Sequence, residues 1–249
     1  MGSLLVIDAG NTRTKWAVLQ YENGAILQHG VMDRHEVPTA WHGCDAVAVA
    51  NVAGQARHDM LKELLKPLGL PVRWHASTAH ACGLSNGYTI PEQLGVDRWA
   101  AMVGAWQHYQ RSCVVVNAGT ALTVDMIEKT SPGQARFIGG IIVPGMKLIQ
   151  NSIVNAAANI GEIHGVFQDF PLSTQDAVYS GSLYALAGAV DNLVQLLSEH
   201  CGHVVPCMLS GGDAATLLPL LQKHVLAREY QLEDHLVLQG LWYLERELS

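Results

Sequence analysis

Asp8 closes the apolar run Leu4-Leu5-Val6-Ile7, and Ala9, Gly10, Asn11, Thr12, Arg13, Thr14 and Lys15 follow at once. That order suits phosphate chemistry. Glycine lets the backbone approach a ligand closely, and the N–H groups of such a turn, with a Thr hydroxyl, can hold phosphate oxygens. A carboxylate beside them suits Mg2+, which takes one or two carboxylates together with phosphate oxygens and water. Alone, Asp8 reads equally well as a turn residue bonding its own downstream backbone. A second copy of the pattern, Val115-Val116-Asn117-Ala118-Gly119-Thr120, moves the reading toward function. Two such turns facing each other would hold a nucleotide tail between two half-molecules. No G-x-x-x-x-G-K-S/T loop occurs, so this is not a P-loop protein.

Gly95-Val96-Asp97-Arg98 is the second focus. Asp97 stands where a helix N-cap is expected, a structural role worth about 1 kcal/mol. Arg98 resists that plain explanation, because a cation in the first helical turn opposes the macrodipole. It makes sense with an anion in front of it, bonded in bidentate fashion. The neighbouring Asp97 could then take the proton from a substrate hydroxyl attacking a γ-phosphate, since phosphoryl transfer needs mainly positioning, one base and charge stabilisation. Leu209-Ser210-Gly211-Gly212-Asp213 follows a late strand and precedes a helical run, where an adenine-ribose contact is expected. His200-Cys201-Gly202-His203 with Cys207 matches no standard zinc spacing and is read as loop and core.

These residues need a scaffold, and the chain offers the same one twice. The first half reads as strands over Leu4–Ile7, Trp16–Leu19 and Ala25–Val31, joined through an Asn23-Gly24 hairpin turn. A short strand at Ala46–Ala50, apolar residues at helical spacing from Met60 to Leu68, an extended Pro71–Trp74 and a helix from Asp97 to Tyr109 follow. The second half replays the plan with strands at 114–116, 122–127 and 137–143, a helix from Met146, a long helix over Asp176–Glu199, a strand over Val204–Leu209 and two closing helices. This is the layout of a duplicated α/β fold of the actin, sugar-kinase and Hsp70 (ribonuclease H-like) type, with domains at 1–112 and 113–249 and the ligand in a central cleft.

Composition narrows the class. With 249 residues, 49% hydrophobic and 15% charged, the chain can form two domains. A net charge of −7 argues against a nucleic-acid partner. No apolar run reaches the length of about 18 residues that suggests a membrane span. The start lacks the cationic region and cleavage site of a signal peptide, and the five scattered cysteines read as reduced thiols of a cytoplasmic protein.

Asp8–Lys15, Asn51-Val52-Ala53, Gly95–Arg98, Asn117–Thr123, Gly139-Gly140 with Pro144-Gly145, Thr174 with Ala177, Ser180-Gly181, and Ser210–Asp213 occur in an order that resembles type III pantothenate kinases, the Bvg accessory factor group. The resemblance spans essentially the whole chain. It implies transfer of the ATP γ-phosphate to the primary hydroxyl of pantothenate, the first committed step toward coenzyme A. It implies that Asp8, Ala9, Gly10, Asn11, Thr12, Arg13, Thr14 and Lys15 bind the ATP phosphates, with Thr120 a further ATP contact. Asp8 would hold a divalent ion such as Mg2+ through water. The pantothenate site would comprise Tyr88, Gly95, Val96, Asp97, Arg98 and Thr174, with Asp97 the proton acceptor and Arg98 near the substrate carboxylate. The family works as a homodimer whose pocket borrows from the partner subunit, a role open to Thr174. Many members carry Asp where this chain has Asn117, and that Asp ligates potassium or ammonium. The uncharged Asn117 should weaken such a site.

Three other readings compete. A sugar or N-acetylhexosamine kinase of this architecture would also need a base Asp, but usually in a longer chain with sugar motifs absent here. A nucleotide-gated regulator could dispense with a base, yet Asp97 and Arg98 are both present. A filament or chaperone ATPase would be longer.

Overall fold

A computed structural model describes residues 2–32, 37–157, 161–224 and 229–248. In chain order the elements are β1 (Ser3–Ala9), β2 (Thr14–Gln20), β3 (Ile26–Met32), β4 (Ala46–Asn51), α1 (Gly54–Leu65), β5 (Val72–Trp74), β6 (His80–Ala81), β7 (Leu84–Ser85) and α2 (Val96–Tyr109). There follow β8 (Cys113–Ala118), β9 (Ala121–Ser131), β10 (Gln134–Pro144), α3 (Met146–Ala156), α4 (Thr174–Cys201), β11 (Cys207–Ser210), α5 (Ala214–His224), β12 (Tyr230–Leu232) and α6 (Leu236–Glu247). Two compact units result: Met1–Gln110 with Lys129–Phe137 and His235–Ser249, and Arg111–Glu128 with Ile138–Asp234.

The first unit carries a sheet in the order β3-β2-β1-β4-β5. β1, β2 and β3 form the expected antiparallel meander, and β4 lies parallel to β1 with Ala9 opposite Asn51. At the hairpin turn the Ala25 N–H donates to Asn23 Oδ1 at 2.9 Å, and Gly24 takes φ +74°. The pleat sends Leu5, Ile7 and Ala9 to one face, where Trp16, Trp41, Val47, Val49, Leu61 and Leu65 complete a core beneath α1. α6 packs on β1, β2, β4 and α2. Gly240 makes the last of these contacts possible, because a Cβ there would overlap the Ala100 carbonyl. Glu245, 4% exposed, accepts from Arg73 Nη1 and bonds His75 Nε2, both at 2.9 Å, tying α6 to the β5 region.

The second unit repeats the order with new strands, β10-β9-β8-β11-β12 standing where β3-β2-β1-β4-β5 stand in the first. β8 and β9 are antiparallel, while β11 runs parallel to β8 with Ser210 opposite Asn117. Val114, Val116, Leu122 and Val124 pack with Leu186, Val190 and Val194 of α4 and Leu217 and Leu221 of α5.

The structure refines several expectations. The compact units are not continuous in sequence: beyond the Gln110/Arg111 division, the C-terminal helix and the tip of the β9–β10 hairpin group with the first unit. β10 is longer than 137–143, and its outer end pairs with β7, Ala135 opposite Leu84. The three-residue β12 carries too short a pattern to have been read. Asp97 is not the cap of α2. Gly95, at φ −56° and ψ 129°, is the last non-helical residue, so Asp97 sits inside the first turn.

Candidate active site

Asp8 reaches its position because β1 stays apolar almost to its end and then places a polar residue on the face opposite α1. Its antiparallel partner on β2 is Lys15. Between them the chain reverses through Gly10–Arg13, closed by the Gly10 N–H donating to the Arg13 carbonyl at 3.0 Å. Asn11, Thr12 and Arg13 are exposed on this turn. Thr14 is buried and accepts from Arg57 Nη1 at 3.2 Å. Asn51 of the parallel strand β4 has a local job: its Oδ1 accepts from the Ala53 N–H, and its Nδ2 donates to the Gly54 carbonyl as α1 begins.

Asp97 belongs to the same cluster. Its Oδ1 accepts the Arg98 backbone N–H at 2.9 Å, and burial pushes its carboxyl above the usual range against that bond and the Arg98 charge. Gly95 leaves room for the carboxyl group, since a Cβ there would lie 2.6 Å from Asp97 Oδ1. The buried Ser77 hydroxyl donates to the Leu94 carbonyl at 2.8 Å and holds the approach to α2.

Burial pushes the Asp8 carboxyl up to about 7, the Asp97 charge adds to the rise, and Lys15 opposes it. The Asp8 carboxylate, crowded by the Asp97 charge, is a hard oxygen donor, and a divalent cation would offset the negative charge gathered there. The same crowding has a cost in stability. A carboxyl whose folded pKa lies above its unfolded value binds more protons when folded, so stability falls as pH rises from about 4 to about 7. Asp8→Asn is therefore expected to stabilise the metal-free protein at pH 8 by on the order of 2–4 kcal/mol. Thermal melts in chelator should show the gain shrinking as pH is lowered toward 5. A gain independent of pH would mean that Asp8 titrates normally.

Arg98 is 5% exposed, and its Nη1 donates to the Tyr88 hydroxyl at 3.0 Å. Tyr88 is set by Asn86, whose Oδ1 accepts the Tyr88 N–H while its Nδ2 donates to the Thr78 and Pro91 carbonyls. Asn86 and Phe137 escaped the sequence reading. Asn86 stood unremarked in a Gly/Ser/Asn-rich passage, and the inward alternation of Ala135 and Phe137 was the available signal for the second.

In the second unit the β8–β9 turn is tighter, reduced to Gly119 and Thr120, with the Gly119 N–H donating to the Ala121 carbonyl. Thr120 is exposed. Gly145 begins α3 against this turn, where a Cβ would overlap the Gly119 carbonyl. Gly211, at φ +101°, lies against Ala118, and the Asp213 N–H donates to the Ala118 carbonyl. The Gly145 and Ser210–Asp213 motifs thus build the surroundings of Asn117, Gly119 and Thr120. Thr174 is the exposed first residue of α4, after the N-cap Ser173, whose hydroxyl accepts from the Asp176 N–H. His200 bonds Glu128, His203 bonds the Cys201 carbonyl, and Cys207 is buried in β11. The structure therefore brings Asp8, Lys15, Tyr88, Gly95, Val96, Asp97 and Arg98 into the first unit, and Asn117, Thr120 and Thr174 into the second.

The sequence profile of type III pantothenate kinases matches residues 4–196. A type III pantothenate kinase of Methylobacillus flagellatus is 71% identical over 248 residues, covering all of both chains. The chain belongs to the type III pantothenate kinase family. Another type III pantothenate kinase, from Nitrosospira multiformis, is 40% identical over 99% of this chain and 92% of its own. The family phosphorylates pantothenate in coenzyme A biosynthesis, so this member is a phosphotransferase. Among solved structures, a Baf family protein of Campylobacter jejuni superimposes with a TM-score of 0.59 at 19% identity over 98% of each chain. Component A of the (R)-2-hydroxyglutaryl-CoA dehydratase of Acidaminococcus fermentans gives 0.54 at 11% identity, over 99% and 98%. These two likenesses concern the fold, which is the duplicated α/β architecture.

Proposed function

We propose that this type III pantothenate kinase uses ATP as donor and Asp97 as the base that takes the proton from the primary hydroxyl of pantothenate. The observation that carries the reading is the pair of desolvated carboxylates, Asp8 at the end of β1 and Asp97 in the first turn of α2, with Gly95 leaving space for the second. Burial, which raises its pKa, makes the Asp97 carboxylate a stronger base than that of an exposed Asp. Asp8 to Lys15 bind the phosphates: the Gly10–Arg13 turn offers backbone N–H groups, and Lys15 offers a cation. Thr120 supplies a hydroxyl from the second turn.

A divalent ion such as Mg2+, held by Asp8 through water, would offset negative charge on the phosphoryl oxygens. Asn117 gives a neutral oxygen, so a monovalent cation such as potassium would gain little there. Arg98, held by Tyr88, faces the pantothenate carboxylate beside Gly95 and Val96, and Thr174 serves the acceptor site of a partner subunit. The exposed Ile142, Leu148, Val166, Phe170 and Leu172 support a homodimer, since large apolar side chains in water favour a covering partner. The five free cysteines agree with a cytoplasmic setting. Among the described residues no helix is long and apolar enough to cross a membrane.

The test is ADP release with ATP and Mg2+, with and without pantothenate, in potassium or sodium. Pantothenate-dependent ADP in both salts supports the reading, whereas release indifferent to pantothenate overturns it. Arg98→Ala should raise the KM for pantothenate by about tenfold to a hundredfold and shift that for ATP by less than about twofold. Equal changes in both would remove Arg98 as the carboxylate anchor.

A further inference from the structure

Phe137 lies outside every motif considered so far. It is fully buried on β10, in the stretch of that strand that belongs to the first unit. Its ring lies 5.5 Å from that of Tyr88, tilted by 30°. The Arg98 guanidinium carbon stands 5.8 Å from the Tyr88 centroid and 6.0 Å from the Phe137 centroid. Arg98 thus meets two aromatic rings, and the hydroxyl of one of them, Tyr88, accepts its Nη1–H.

A guanidinium at 5% exposure has lost most of its water. Aromatic faces carry negative charge density and attract a cation within about 6 Å, more strongly once it is desolvated. A long side chain also has many rotamers, and a planar cation packed against a pair of touching rings loses most of them before a ligand arrives. The Tyr88 hydroxyl fixes one edge of the guanidinium, and the Phe137 ring limits its rotation about that bond. A cation held this way offers a planar carboxylate a charged partner of fixed orientation, whereas a neutral group in the same place gains only ordinary hydrogen bonds.

We propose that Phe137 is a positioning residue that, through its ring face, fixes the Arg98 guanidinium and so sets the preference of the acceptor site for an acid over its uncharged analogues. This rests on Arg98 facing the substrate carboxylate. Phe137 touches Arg98 and Tyr88, so its action on substrate passes through Arg98.

Two variants of the full-length protein test it. Phe137→Leu is expected to raise the KM for pantothenate about fivefold, with that for ATP unchanged and kcat within about twofold. Preference for pantothenate over its primary amide, measured as the ratio of kcat/KM, should fall by a similar factor. Replacing Phe137 with 3,4,5-trifluorophenylalanine keeps the shape and withdraws charge from the ring face. It should give the same change in direction, and it decides the matter if Phe137→Leu does not fold. A fluorinated variant with unaltered KM and unaltered acid preference overturns the proposal, as does a parallel rise in both substrates' KM values. If Arg98→Ala leaves the pantothenate KM unmoved, the anchor assignment itself has failed. If Arg98→Ala raises it and the fluorinated ring does not matter, only the role of Phe137 has failed.

Discussion

Asp97→Asn is expected to lower kcat by about a thousandfold, within the range that removal of a general base produces. The amide keeps the size of the side chain and can still accept the Arg98 N–H, but it cannot take the hydroxyl proton. Burial already disfavours the charged form of Asp97, so the neutral replacement should melt no lower than the parent. The KM for ATP should stay where it was, because the phosphate contacts proposed above, Asp8–Lys15 and Thr120, do not include Asp97. In the parent, kcat/KM should fall on the acid side through a pKa above the ordinary carboxylate range, since the base must be ionised to act. The residual rate of the variant should lose that limb. Near-normal turnover would remove Asp97 as the base.

Gly240→Ala is expected to cost about 3 kcal/mol or more, read as a fall in Tm of roughly 10 °C for a chain of this size. The added methyl would meet the carbonyl and Cα of Ala100, which are backbone atoms inside α2 and cannot rotate aside. Relief requires the two helices to separate, and α2 carries Asp97 and Arg98, so activity should drop with stability. An unchanged melt would mean that α6 does not approach α2 so closely.

Much of this was readable in the chain. The β1–β2 and β8–β9 hairpins were visible because an apolar run, a polar residue and a glycine turn recur in order, and each strand buries both faces. Asp97 and Arg98 stood out because a first-turn arginine conflicts with local electrostatics unless something else pays. What stayed hidden depends on distant residues. The cap position of Asp97 turned on the backbone of Gly95, which composition leaves open. Phe137 looked like any inward strand residue, because its neighbours Tyr88 and Arg98 come from another part of the sequence. The partnership of α6 with the first unit could not be read, because an amphipathic helix shows that it packs but not on what.

The Gly240–Ala100 contact also fixes an order of events during synthesis. α2 leaves the ribosome long before α6, with the whole of the second unit between them. Until residues 236–247 emerge, the stretch of α2 around Ala100 waits without the helix that covers it. The half bearing the proposed base therefore finishes folding after the half that follows it has been made. A fragment cut at Gln110/Arg111 would lack that cover and the Lys129–Phe137 stretch as well, so no single cut or permutation separates the two units cleanly.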